Sequence, residues 1–202
     1  STLLLNLNGV LRGEGEIFIC GLPLNDKNLR EIRRLIGLVF QDPDDQLFMP
    51  TVYDDVAFGP LSFGFPLPEV KERVIKALKA VGLEGYEKRS PHHLSLGEKK
   101  RASIATVLSL DPEILVLDEP TSNLDPRGRR QLIELLNSLH HTKIIATHDL
   151  SFAWKTADRI ALIYQGEIVA FAEKRKILLN DNLLLHYGLE PLSSFEVRVQ
   201  EG

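Results

Sequence analysis

At 202 residues, 44% hydrophobic and 26% charged, the chain has the length and apolar content of one large globular domain or two small ones. Its 24 basic against 28 acidic residues leave a formal net charge of -4, which removes any bulk electrostatic reason to expect nucleic acid as a partner. A single cysteine, Cys20, excludes an internal disulfide and fits a reducing compartment, and no apolar run has the length of a membrane span or the layout of a signal peptide.

The chain opens on Ser1-Thr2-Leu3-Leu4-Leu5, inside a helical pattern without a cap, so residues upstream are expected to have been omitted. Leu3, Leu4, Leu7 and Leu11 predict a helix over 3–11. A short alternating strand is expected over Glu16–Cys20, with Cys20 as a buried small apolar residue. Asp26 precedes an amphipathic helix carrying Leu29, Ile32, Leu35 and Ile36, and Ile36–Phe40 reads as a strand ended by Asp42-Pro43-Asp44-Asp45. Residues 51–110 are expected to be mainly helical, broken from Gly59 to Pro68.

After Asp111-Pro112 the pattern changes. Ile114–Leu117 is a continuous apolar run, as in a strand buried on both faces of a parallel sheet. A helix is predicted from Pro126 to His140, a second buried strand over Lys143–Ala146, a helix over 150–157 with Phe152 and Trp154 in its core, and a strand over Arg159–Tyr164. Gln165-Gly166-Glu167 turns the chain into Ile168–Phe171 as a hairpin, and an amphipathic segment, Ile177 to Tyr187, lies in the tail. Strands alternating with helices predict an α/β domain with a mainly parallel sheet. The domain is divided as a core over 1–50 and 108–172, a helical insertion over 51–107, and a tail over 173–202.

Four segments carry chemistry. Leu117-Asp118-Glu119-Pro120 places two carboxylates at the C-terminal end of a buried strand, where α/β sheets bind ligands. Asp118 there suits a Mg²⁺ ion and Glu119 a water that attacks a phosphate, although Asp-Glu-Pro-Thr alone also reads as a helix-capping turn. Leu94-Ser95-Leu96-Gly97-Glu98 exposes helix-start N–H groups to an anion. It equally forms a capping box, with Lys99–Arg101 behind it as a solvated basic face. Gln41 follows a strand, where a carboxamide can reach both a metal ion and a water. His148 ends another strand, within reach of a γ-phosphate, or else begins a helix beside the cap Asp149. The adjacent pairs His92-His93 and His140-His141 have diverging side chains and no cysteine partners, a poor start for a metal site.

Taken in order, these segments resemble the ATP-binding subunits of ABC transporters. Leu94–Glu98 is similar to the family's signature motif, Leu115–Glu119 to its Walker B strand with the catalytic glutamate, and Ser122-Asn123-Leu124-Asp125 to its D-loop. Gln41 is similar to the Q-loop glutamine and His148 to the switch histidine. Ser1-Thr2 resembles the last two positions of the phosphate-binding loop, whose glycines and lysine are absent from the sequence, as are the N-terminal strands that precede them. The resemblance implies a P-loop NTPase (RecA-like) fold with an inserted helical subdomain, and ATP and Mg²⁺ as ligands. Glu119, His148 and Gln41 would be catalytic. Ser1, Gln41 and Asp118 would hold Mg²⁺. Ser1, Thr2, Gln41, Ser95, Gly97, Glu98, Asp125 and His148 would contact nucleotide. In such subunits two copies sandwich two ATPs, so that Ser95, Gly97 and Glu98 act in trans on the ATP of a second subunit, identical or paralogous. Leu96 and Glu98 depart from the usual glycine and glutamine of the signature.

The run from Phe40 to Phe48, followed by Thr51 to Gly59, resembles the ATPases of energy-coupling-factor importers, which take up cobalt, nickel or vitamins. That resemblance implies transmembrane coupling and substrate-binding partners, a peripheral place on the cytoplasmic face of the membrane, and no nucleic acid. Phe48, Val52, Val56 and Phe58 would offer apolar contact there, with Asp44, Asp45, Asp54 and Asp55 open to basic groups. Related heads in DNA-repair, chromosome and ribosome-bound proteins need a coiled-coil insertion, zinc-binding cysteines or a second ATPase domain, which the sequence lacks. The alternative is a non-hydrolysing fragment or regulatory module, since the loop lysine is absent.

Overall fold

The computed structural model describes residues 2–192, and the chain separates into one unit running to Ala146 and another beginning at Thr147. In the first unit, helix α1 (Thr2–Leu7) stops short of Leu11, because Gly9 takes a φ of +69° and ends it. The Val10 N–H donates to the Leu5 carbonyl at 3.0 Å and that of Gly9 to Asn6 at 3.2 Å, the bond pair of a glycine-terminated helix. The strand expected over 16–20 contracts to β1 (Phe18–Ile19), paired antiparallel with β2 (Leu22–Pro23). Cys20 occupies the tight turn between them at φ 49° and is exposed, which corrects its expected burial.

Helix α2 (Leu29–Leu35) leads straight into β3 (Ile36–Val39). Helices α3 (Val52–Phe63), α4 (Leu67–Ala80) and α5 (Leu96–Leu108) then form the helical section before β4 (Ile114–Asp118). The predicted break from Gly59 to Pro68 is confined to the residues between α3 and α4. Pro60 lies inside α3, on a buried face with Val52, Val56 and Ala57, so packing overrides its missing N–H. Gly64, in the left-handed region at φ 84°, ends that helix instead.

After β4, helix α6 (Pro126–Ser138) crosses to β5 (Thr142–Ala146), and β3, β4 and β5 form a parallel sheet in that order. Leu115, Val116 and Leu117 of the central strand are fully buried, as their continuous apolar run predicts. Lys143–Ala146 of β5 are only half-buried, contrary to the fully buried strand expected, because β5 lies at the end of the strand order of this sheet. Leu4, Ile19, Ile32, Ile36, Leu38 and Val116 form one core cluster, joining α1, the β1–β2 hairpin and α2 to the sheet. Helix α5 lies close against β3, where a Cβ at Gly37 would stand 2.9 Å from the Val107 Cβ.

The second unit holds α7 (Leu150–Thr156), β6 (Arg159–Tyr164), β7 (Glu167–Glu173), α8 (Lys174–Leu178) and α9 (Asp181–His186). Strands β6 and β7 pair antiparallel through the Gln165-Gly166 turn, with a register shift at Leu162/Ile163. Its core is Ala153, Ile177, Leu178 and Leu192, with Trp154 packed against it and Phe152 fully buried.

Candidate functional site

The register of β3 on β4 sets the site. Val39 pairs with Leu117, so the two parallel strands finish side by side and release Gln41 and Asp118 at the same sheet edge. Both residues line one open cleft of about 490 Å³, with Asp42, Leu96, Lys100 and Ser122 among its walls. Beyond Asp118, Glu119 takes a φ of 40°, an unfavourable conformation for a side chain that is neither Gly, Asn nor Asp. Its N–H donates to the Ala146 carbonyl at 2.9 Å, and its own carbonyl accepts from the Ser122 N–H at 3.1 Å. The strained residue is therefore tied to β5 on one side and to its own turn on the other.

Helix α5 begins with the capping box that Ser95 and Glu98 predict. The Glu98 carboxylate accepts from the Ser95 N–H and hydroxyl, each at 2.7 Å, and from the Tyr86 hydroxyl at 2.8 Å. These bonds, led by that of the Ser95 hydroxyl, hold the Glu98 carboxyl below its ordinary value of 4.5 against the opposing effect of burial. A depressed carboxylate stabilises the fold above its unfolded value, and that contribution is lost as pH falls through the lowered one. Thermal melts from neutral pH down past pH 4.5 should show Glu98→Gln losing less stability toward acid than the parent chain; parallel profiles would deny Glu98 this role.

Gly97 follows at the second helical position. A Cβ built there meets nothing closer than Leu124 Cδ2 at 3.9 Å and Gly128 Cα at 4.0 Å, so the fold itself does not demand a glycine. Asp125 caps α6 by accepting from the Gly128 N–H at 2.7 Å. Thr2 opens α1, is exposed, and is not among the cleft residues. His148 belongs to the second unit, where it precedes Asp149, the N-cap of α7. Ser1 lies outside the described residues.

Lys100 was hidden from sequence reading. Counted with Lys99 and Arg101 as a solvated basic run, it is instead only 3% exposed. The signal was its place one turn before the buried Ser103, Ile104 and Val107, on the inward stripe of α5. Lys99, by contrast, reaches outward to Asp44, with its Nζ 2.6 Å from Oδ1.

The oxygen donors of the cleft suit a hard divalent cation. Among the described residues no group of three or more His, Cys, Asp or Glu side chains could cage a metal ion. One carboxylate, Asp118, and the Gln41 carboxamide therefore fit Mg²⁺ delivered with phosphate oxygens better than a resident all-protein site.

The segment after Gln41 divides differently from expectation. Val52 and Val56 are fully buried and offer no outward contact, whereas Phe48 is 63% and Phe58 48% exposed. These two rings meet edge to face with centroids 5.2 Å apart. Asp55 is not open to basic groups either: it is buried, and its Oδ1 accepts from the N–H groups of Phe48 and Met49, each at 3.0 Å. Asp54 accepts from the Thr51 hydroxyl at 2.6 Å at the start of α3.

Comparison with known proteins places these observations in a family. The ABC transporter family model matches residues 1–122. The energy-coupling factor transporter ATP-binding protein EcfA of Carboxydothermus hydrogenoformans is 50% identical over 194 residues, covering 94% of this chain and 72% of that protein. Among solved structures, cbiO1 from Clostridium perfringens, part of the ABC transporter complex cbiONQ, superposes with a TM-score of 0.80 at 37% identity, covering 92% of this chain and 76% of that one. The ATP-binding cassette MJ0796, in a dimeric post-hydrolysis state bound to ADP and Pi, matches with a TM-score of 0.73 at 30% identity, covering 86% of this chain and 80% of that one.

Proposed function

The chain belongs to the ABC transporter family of ATP-hydrolysing subunits, and from that premise we propose that it powers an importer for a metal ion or a water-soluble vitamin. The observation that carries the catalytic part of this reading is the shared strand-end cleft of Gln41 and Asp118, with the strained Glu119 next in the chain. The importer part is supported by the resemblance to EcfA and cbiO1.

In this mechanism Glu119 takes a proton from the water that attacks the γ-phosphorus, and the bond from γ-phosphorus to the bridging oxygen breaks to leave ADP. Gln41 orients that water, and His148 donates a hydrogen bond to the γ-phosphate. Asp118, Gln41 and Ser1 hold Mg²⁺, which when bound neutralises charge on the phosphate oxygens. Thr2 contacts a phosphate. Ser95, Gly97 and Glu98 face the ATP of a second subunit, with Asp125 in the D-loop between the sites. Glu98 would do so while engaged in its own cap. Hydrolysis reopens the dimer, and that motion drives the membrane partner.

No helix among the described residues is long and apolar enough to cross a membrane. Attachment to the cytoplasmic face through transmembrane coupling and substrate-binding subunits follows from the importer reading. The Phe48–Phe58 pair is the docking face, since it is aromatic, packed edge to face and exposed. Alanine at both positions should weaken copurification with the membrane subunits at least about 30-fold, at about 2 kcal/mol or more for an aromatic anchor. ATP affinity of the isolated subunit should not change. Unchanged assembly, or a loss of ATP affinity, would remove this face from the proposal. Uptake of labelled cobalt, nickel and biotin by cells carrying Glu119→Gln tests the cargo: a fall for one of them identifies it, and undiminished uptake of all three removes these three as cargoes.

A further inference from the structure

We propose that Lys100 is a positioning residue that locks the main chains of Gln41 and Glu119 to helix α5, so that the signature end of that helix and the hydrolytic end of β4 move together. The proposal rests on the ATPase reading above and adds to it a link between the two half-sites carried by one subunit.

Lys100 Nζ donates to the Gln41 carbonyl at 2.8 Å, the Ser122 hydroxyl oxygen at 3.0 Å and the Glu119 carbonyl at 3.3 Å. An ammonium has three N–H donors, and these three acceptors engage all of them. None of the acceptors is charged. Burial pushes the amine down from its ordinary value, and the surrounding charges of Asp42, Glu119 and Asp118 oppose that shift. Lysine is among the residues least often fully buried, and an apolar side chain of similar length would fill the same space without losing hydration. What the lysine supplies is a single point that holds the turn after β3 and the turn after β4 together.

Those turns are the ones the chemistry needs. The Glu119 carbonyl belongs to the residue at φ 40°, so a donor fixed on that oxygen helps to retain an otherwise disfavoured backbone. The Gln41 carbonyl begins the turn that continues to Asp44, where Lys99 of the same helix makes a second tie at 2.6 Å. Ser95 and Gly97 lie within about 8 Å of Lys100 along the helix axis, at 1.5 Å of rise per residue. A rigid helix transmits any displacement of its first turn to the Lys100 ammonium, and thence to Gln41 and Glu119. Engagement of the second subunit's ATP by Ser95 and Gly97 thus sets the position of the cis base and water-orienting group. A catalytic base misplaced by an ångström loses on the order of 10² in rate, so small displacements suffice.

The test uses the purified full-length protein, with steady-state hydrolysis, equilibrium ATP binding and thermal melting measured on Lys100→Met and Lys100→Arg. Lys100→Met should lower kcat about 10- to 100-fold while the KM for ATP stays within about twofold. Lys100→Arg should recover part of the loss, since it restores charge and donors in a different, planar arrangement. A purely structural fastener would lower the melting temperature and leave kcat intact below it, and that result overturns the proposal. If Lys100→Met does not fold, Ser122→Ala decides together with Lys100→Arg: a severalfold fall in kcat at constant KM supports the latch, and parent kcat in both removes it. Glu119→Gln is the control that separates the two levels. Its inactivity beside a normal Lys100→Met discards the latch alone, whereas parent turnover by Glu119→Gln discards the catalytic reading beneath it.

Discussion

Glu119→Gln is expected to retain ATP binding and to lower turnover by about 10²- to 10⁴-fold, the range typical for removal of a general base. The substitution is nearly isosteric, and bonds at its main chain hold the backbone of this residue, from its N–H to Ala146 and to its carbonyl from Ser122 and Lys100. The amide should therefore occupy the same strained position without accepting a proton. Equilibrium binding of ATP and single-turnover hydrolysis read the two effects separately. Hydrolysis at near the parent rate would remove Glu119 as the base, and a collapse of ATP affinity would show that its role is in binding.

Gly97→Ala should produce the opposite pairing of stability and activity. The fold has room for the methyl group, whose closest neighbour would be Leu124 Cδ2 at 3.9 Å. In the first turn of a helix alanine is favoured over glycine by up to about 1 kcal/mol, so the melting temperature should hold or rise. Turnover should nevertheless fall by roughly 10- to 100-fold, because the added methyl would stand in the path of the phosphates presented by the second subunit. ATP binding to the isolated subunit should not change. A more stable protein with undiminished hydrolysis would mean that nothing approaches Gly97 in trans.

Where periodicity and local chemistry agreed, the structure could be anticipated from the sequence. The apolar run at 114–117 and the first-turn proline Pro126 placed β4 and the start of α6 correctly. Strand β6 was legible to the residue. The failures share a cause, which is tertiary packing that acts across sequence distance. Pro60 reads as a helix breaker, yet its buried face carries α3 through it. Lys100 reads as part of a charged surface, although only the stripe of α5 facing the sheet reveals its burial. Asp55 and Val56 look as available as Phe58, and the helix rotation that separates them follows from contacts made by α3. In the candidate site, strand ends were legible and therefore so were Gln41 and Asp118. The cation beneath them was not.

The exposed thiol at the β1–β2 turn gives the molecule a built-in spectroscopic handle. Cys20 is the one cysteine among these 202 residues, so a maleimide dye or nitroxide attaches to them at a defined, exposed position. It sits at a hairpin tip that contributes nothing to the walls of the strand-end cleft. In a pair of identical subunits each label would have one counterpart. The separation of the two probes would then provide a ruler for closure through a nucleotide cycle, in the parent chain and in each variant above.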